Sequence, residues 1–99
     1  MLYSMTDKLN FNAPPIIEIK GKKITVNNDA VTVLKLLDVV NQEGELMGIK
    51  AVMNLLFSEK DRKYIESLKL NIEDYSTVAK TALELALGTD PDEEDEQGK

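Results

Sequence analysis

Apolar and polar residues alternate in part through Ile16-Ile17-Glu18-Ile19-Lys20 and again through Lys23-Ile24-Thr25-Val26-Asn27, and the β-branched content of both runs suits strands. Gly21-Lys22 lies between them. Gly in the first central position suits a two-residue type II′ turn, which predicts a β-hairpin over 16–27. Two strands alone are marginal in water, so one face of the hairpin must rest on helices. Pro14-Pro15 ahead of it blocks helix and sets an extended approach. Residues 1–13 show no period and are expected to form a flexible lead-in, with Met1 and Met5 both open as starts.

From Ala30 the spacing becomes helical. Asn27, Asn28 and Asp29 offer three capping side chains, and Val31, Val33, Leu34, Leu36, Leu37, Val39 and Val40 make the stretch apolar on most sides. Its β-branched content leaves a strand open, but its length behind an Asx cap favours helix. Gln42-Glu43-Gly44 breaks the pattern, which resumes from Glu45 with Leu46, Met47, Ile49, Val52, Met53, Leu55, Leu56 and Phe57, a second helix over 45–57. Gly48 inside it costs about 1 kcal/mol relative to Ala, which points to a close backbone approach. Both helices are too apolar for one-sided burial and should form the centre of the core or a partner surface.

Ser58 with Asp61 resembles a capping box, opening an amphipathic helix over 58–70 that carries Tyr64, Ile65 and Leu68 on one face. Asn71 caps a last helix over 72–87, where Glu73 and Asp74 complement the positive end of the dipole and Ile72, Tyr75, Val78, Ala79, Ala82, Leu83 and Ala86 recur at helical spacing. Gly88 stands where a C′ glycine belongs, and Pro91 prevents resumption. The predicted fold is α+β and mostly helical: an N-terminal β-hairpin packed on about four α-helices over 14–88, then a disordered acidic tail over 89–99.

Charge sharpens that division. The chain of 99 residues has a formal charge of −6, and residues 89–99 hold six acids against Lys99, which leaves the body at −1. A nearly neutral body offers no basic stripe for phosphate backbones or anionic lipids, so neither nucleic acid nor membrane is an expected partner. No apolar run is long enough to span a bilayer, and no signal peptide is recognised at the start. Six like charges in seven residues repel and have nothing to bury, hence the expected disorder of the tail.

The chain has no Cys and no His, which removes disulfides, thiol nucleophiles, Cys/His zinc sites, Ser-His triads and imidazole acid–base chemistry. Glu73-Asp74 and Glu59/Asp61 sit at helix starts, where capping explains them better than catalysis. The tail lacks the ligand spacing and central Gly of a calcium loop. No metal, no cofactor and no enzymatic activity are expected; only a metal-dependent carboxylate enzyme stays formally open. Lys20, Lys22 and Lys23 ring the hairpin turn, as a partner contact or, more commonly, as guards of a strand edge.

Partner-binding candidates are Leu46, Met47, Met53, Leu56 and Phe57, where flexible, polarizable methionines suit an adaptable surface, with Tyr64 and Tyr75 as anchors. Core packing is the commoner use of all seven.

Residues 53–99 carry a family resemblance through Leu55-Leu56-Phe57-Ser58, Tyr64, Leu68, Leu70, the helix start Ile72-Glu73-Asp74-Tyr75 and the acidic ending. This half resembles the ending of tail assembly chaperones of long-tailed bacteriophages and prophages. The resemblance implies a non-enzymatic protein that binds the tape-measure protein and keeps it soluble while tail-tube subunits polymerise. It implies as partners the tape-measure protein, the tail tube protein, further copies of the chain, or a longer frameshifted form. It also implies residence in the host bacterial cytoplasm and absence from the mature virion. Codons for Gly98-Lys99 are compatible with a slippery run. The mechanism expected is a helix-in-groove contact by helices 45–57 and 72–87, with the tail lending solubility and screening basic stretches of the client. Alternatives of other classes are a structural phage component, such as a head–tail connector or minor tail protein, and an acidic DNA-mimic inhibitor. The last would need carboxylates on rigid elements.

Overall fold

Lys20 and Gly21, both with positive φ (51° and 82°), reverse the chain between strands β1 (Ile16–Ile19) and β2 (Lys22–Thr25) in the computed structural model, which describes residues 1–9 and 13–89. Positive φ at both central residues makes this a type I′ turn. It corrects the expected Gly21-Lys22 type II′ turn by one residue. The reason lies across the strands. Turning at Gly21-Lys22 would set Lys20 opposite Lys23, whereas the observed register pairs Glu18 with Lys23 and Ile17 with Ile24. Opposite charges facing one another stabilise the ladder and like charges weaken it.

Pro15, Ile17, Ile19, Ile24 and Val26 share the inward face, with Ile24 and Val26 wholly buried, while Ile16, Glu18, Lys23 and Thr25 face out. Hydrogen bonds fasten the hairpin segment to the helices. The Asn27 N–H donates to the Leu56 carbonyl (2.8 Å), and the Tyr64 hydroxyl donates to the Ile19 carbonyl (3.0 Å).

Helices α1 (Ala30–Leu56), α2 (Glu59–Ser67) and α3 (Ile72–Ala86) follow. Helix α1 is two arms, 30–43 and 45–56, separated at Gly44, whose φ of 88° and ψ of −178° are non-helical. That conformation is essentially restricted to glycine. The expected break over Gln42-Glu43-Gly44 is thus confined to the glycine. Gly48 shows the anticipated close approach: a Cβ there would lie 3.1 Å from Cγ2 of Val40, on the other arm.

The predicted caps are in place. Side chains of Asp29, Ser58 and Asn71 accept from the backbone N–H of Thr32, Asp61 and Asp74. At the other end of α3, Gly88 (φ 88°) donates to the Leu85 carbonyl and Thr89 to that of Glu84, a Schellman motif. Helix α2 closes on Lys69 in the left-handed region (φ 54°).

The core joins Ile24 and Val26 to Leu36, Val52, Met53, Leu56, Phe57, Ile65, Ala79 and Ala82. Full burial of each large member stabilises the fold by about 1.5–3 kcal/mol. The small Ala79 and Ala82 let α3 approach α1 closely. An α+β, mostly helical fold with an N-terminal hairpin is what the chain forms. Residues 1–9 carry one 3-10 turn, Thr6–Lys8, and none of them is buried. Residues 10–12 of the expected lead-in, and the expected acidic tail beyond Thr89, lie outside the described residues.

Candidate functional site

The structure divides the seven candidate residues. Met53, Leu56 and Phe57 are at most 3 % exposed and belong to the core, so the expectation of a partner surface is corrected for these three. The cause is positional: these three share one core cluster with Ile24 and Val26 of the hairpin segment, Ile65 of α2, and Ala79 and Ala82 of α3, so the apolar stripe is covered. Leu56 and Phe57 also back a shallow hollow of mixed polarity beside Pro14 and Ser58. Leu46 and Met47, one turn past the Gly44 break, remain exposed (71 % and 45 %).

Tyr64 is half-buried and clamps the hairpin through its hydroxyl, while Lys22 Nζ stands 4.6 Å from the centre of its ring. This cation–π contact fixes one of the three turn lysines. Tyr75 is half-buried on α3. Burial holds its phenol above the ordinary value of 10.0, Glu66 adds to that, and Arg62 opposes it. Arg62 also donates from Nη1 to the carbonyls of Asn54 and Phe57, both at 3.0 Å, closing the end of α1 with a positive charge where the dipole is negative.

What the two arms of α1 and α3 leave open is an apolar trough. One part, about 250 Å³, is lined by Val40, Gly48, Ile49, Val52, Ala79 and Leu83, with Ser76 and Lys80 as its polar members. Ala86 and Leu87 follow Leu83 at helical spacing, and Leu37 precedes Val40 likewise, so the same two stripes continue toward the N-terminal end of α1, away from Gly44. There they line a second hollow of about 390 Å³ with Val33 and Leu34. Leu34 is 65 % exposed and Leu87 49 %. Gly48 shapes the first hollow directly, because it lets Val40 settle against the second arm.

Polar chemistry around the trough is sparse. At the N-terminus of α1, between the lining residues Asn28 and Ala30, hydrogen bonds from the Thr32 hydroxyl and then the Thr32 backbone hold the Asp29 carboxyl below its usual 3.8. Among the described residues no three Asp or Glu gather as a metal site, and no buried polar side-chain atom lacks a partner. No helix among them is long and apolar enough to cross a membrane.

The sequence named Leu83 and Ala86 as helix-face residues but did not single out Leu34, Leu37 and Leu87 as a surface. The available signal was the excess of apolar positions on the first arm over what one buried face requires. No protein-family model, no curated protein and no solved structure matches the chain.

Proposed function

We propose that the chain is a non-enzymatic tail assembly chaperone of a long-tailed bacteriophage or prophage, which seats apolar stripes of the tape-measure protein in the α1–α3 trough. The single observation that carries this reading is that trough, an open apolar seam with Leu34 and Leu87 exposed at its wider end. Helix-in-groove recognition needs such a seam, presented by helices that the rest of the fold holds rigid. A long helical client that is apolar along one face aggregates until it is covered. Burying its anchors removes that exposed surface from water at about 25 cal/mol per Å².

The resemblance of residues 53–99 to the chaperone ending supplies the class of client. In this reading the protein works in the host bacterial cytoplasm, meets tail-tube subunits as they assemble, and leaves before the virion is complete.

The test starts from the neighbouring genes: absence of a very long helical reading frame beside this one counts against the reading, and where one is found its product is co-expressed with the chain and its soluble fraction scored. A client that stays soluble only with the chain, and tail particles that lack the chain, support the reading. A client equally soluble alone, or the chain present in purified particles, overturns it. The second result would make the protein a structural component.

A further inference from the structure

We propose that the chain exchanges its hairpin and first arm with those of a second copy: α1 straightens at Gly44, and residues 14–43 of each chain close onto residues 45–87 of the other. Such an exchange goes beyond the chaperone reading and is independent of it.

The two units meet across the break. Ile24, Val26 and Leu36 come from the first and Val52, Met53, Leu56, Phe57, Ile65, Ala79 and Ala82 from the second, in one shared core. The bonds from the Asn27 amide to the Leu56 carbonyl and from the Tyr64 hydroxyl to the Ile19 carbonyl cross between them, as does the Lys22 cation over the Tyr64 ring. One residue joins the units and turns the chain. Nothing packs on it: a Cβ at Gly44 would meet no atom within 4 Å. With helical φ and ψ at Gly44, α1 becomes one rod of 27 residues, about 40 Å long. A single straightened chain would leave its core faces in water. Two such chains restore the core and the bonds, because each face meets the same residues as before. A short hinge makes this a ready route to a dimer.

The contact nearest the hinge fits a two-fold axis. In a straight α1, Val40, Gly44 and Gly48 share one face at i, i+4 spacing. Two antiparallel copies crossing at Gly44 set Val40 of each against Gly48 of the other. The close approach that a Cβ at 48 makes to Val40, 3.1 Å in the closed chain, is then kept twice. Gly44 sets the balance. Its φ of 88° suits glycine and a helix interior does not, so the parent stays closed at micromolar concentration.

G44A reverses both preferences, favouring the straight form by at least about thirtyfold per hinge. The dimer has two hinges, so the association constant should rise about a thousandfold or more. Light scattering on a sizing column should show a G44A dimer where the parent runs as a monomer. Dilution should return G44A to a less stable monomer.

Cysteine, which the chain lacks, reads how the copies are joined. V40C chains and G48C chains are mixed in urea, refolded together at millimolar concentration and oxidised. The closed structure sets these two Cβ positions 3.7 Å apart, a spacing that a disulfide spans. The exchanged pair should therefore give V40C–G48C heterodimers only, in a yield that rises with concentration and again when both chains carry G44A. Copies joined at an outer surface give none, because Gly48 is buried. Random collision gives homodimers as well. Heterodimers alone, with the parent's helical circular dichroism, support the exchange. Their absence in the parent background, homodimers in random proportion, or a folded G44A that stays monomeric overturns it. Should G44A fail to fold, the parent mixture decides by itself.

Discussion

Replacing Gly48 by Ala probes how the two arms of α1 meet. In an uninterrupted helix, positions 40 and 48 stand about 12 Å apart along the axis, beyond the reach of a methyl group. The break at Gly44 folds the arms so that a Cβ at position 48 lies 3.1 Å from Cγ2 of Val40 and 3.7 Å from its Cβ and Cγ1. Helix propensity favours Ala over Gly by about 1 kcal/mol. Pressing a methyl into an occupied space costs about 1–3 kcal/mol. G48A alone should therefore change stability by between about zero and a 2 kcal/mol loss. V40A alone removes two half-buried methyl groups, a loss of about 1 kcal/mol at 0.8 kcal/mol per fully buried group. In the double variant the obstructing atoms are gone, and the propensity gain returns. The two substitutions should then couple favourably by at least about 1 kcal/mol, read from urea unfolding of the four proteins by far-UV circular dichroism with a common m value. A coupling within about 0.3 kcal/mol of zero is the additivity of residues that do not touch. It would refute the folded-back arrangement, and with it the shape of the trough.

G44A should lower stability by about 1–3 kcal/mol, because Ala strains in the backbone conformation that Gly44 adopts, and an unchanged urea midpoint would place the break elsewhere. K20N should raise the unfolding free energy by about 0.5–1 kcal/mol, and with it the urea midpoint, since Asn accepts the left-handed first position of a type I′ turn more readily than Lys; a lowered midpoint would argue for the other register. Tyr75 should ionise above the ordinary 10.0 in the folded chain. Stability linked to it is present below pH 10 and declines as pH rises from there through the raised folded value. Phenolate absorbance should show a late step that Y75F abolishes, and an identical titration of Y75F would contradict the burial of Tyr75.

Features set within a few residues were legible in the sequence. Asp29, Ser58, Asn71 and Gly88 act as helix ends because the groups they satisfy lie within five positions of them. The hairpin turn was legible as a location but not as a type, since cross-strand pairing of Glu18 with Lys23 selects the register. Gly48 announced a close neighbour, yet naming Val40 requires knowing that the chain doubles back at Gly44. The division of Leu46 and Met47 from Met53, Leu56 and Phe57 was out of reach for a related reason. On a helix apolar all round, spacing cannot say which face its neighbours cover. The wider hollow escaped similarly, because Leu34 and Leu37 look no different in sequence from the buried Leu36.

The bond from the Asn27 amide to the Leu56 carbonyl makes the strands and the long helix share a backbone hydrogen bond at the helix's final turn. The same turn is gripped by Arg62 from the following helix. A ribbon of two four-residue strands would, left to itself, trade its amide protons with solvent almost freely. Welded there, it inherits the lifetime of the helical body. The slow-exchanging amides of Ile24, Val26 and Asn27 should keep time with those of residues 52–56 rather than run ahead of them.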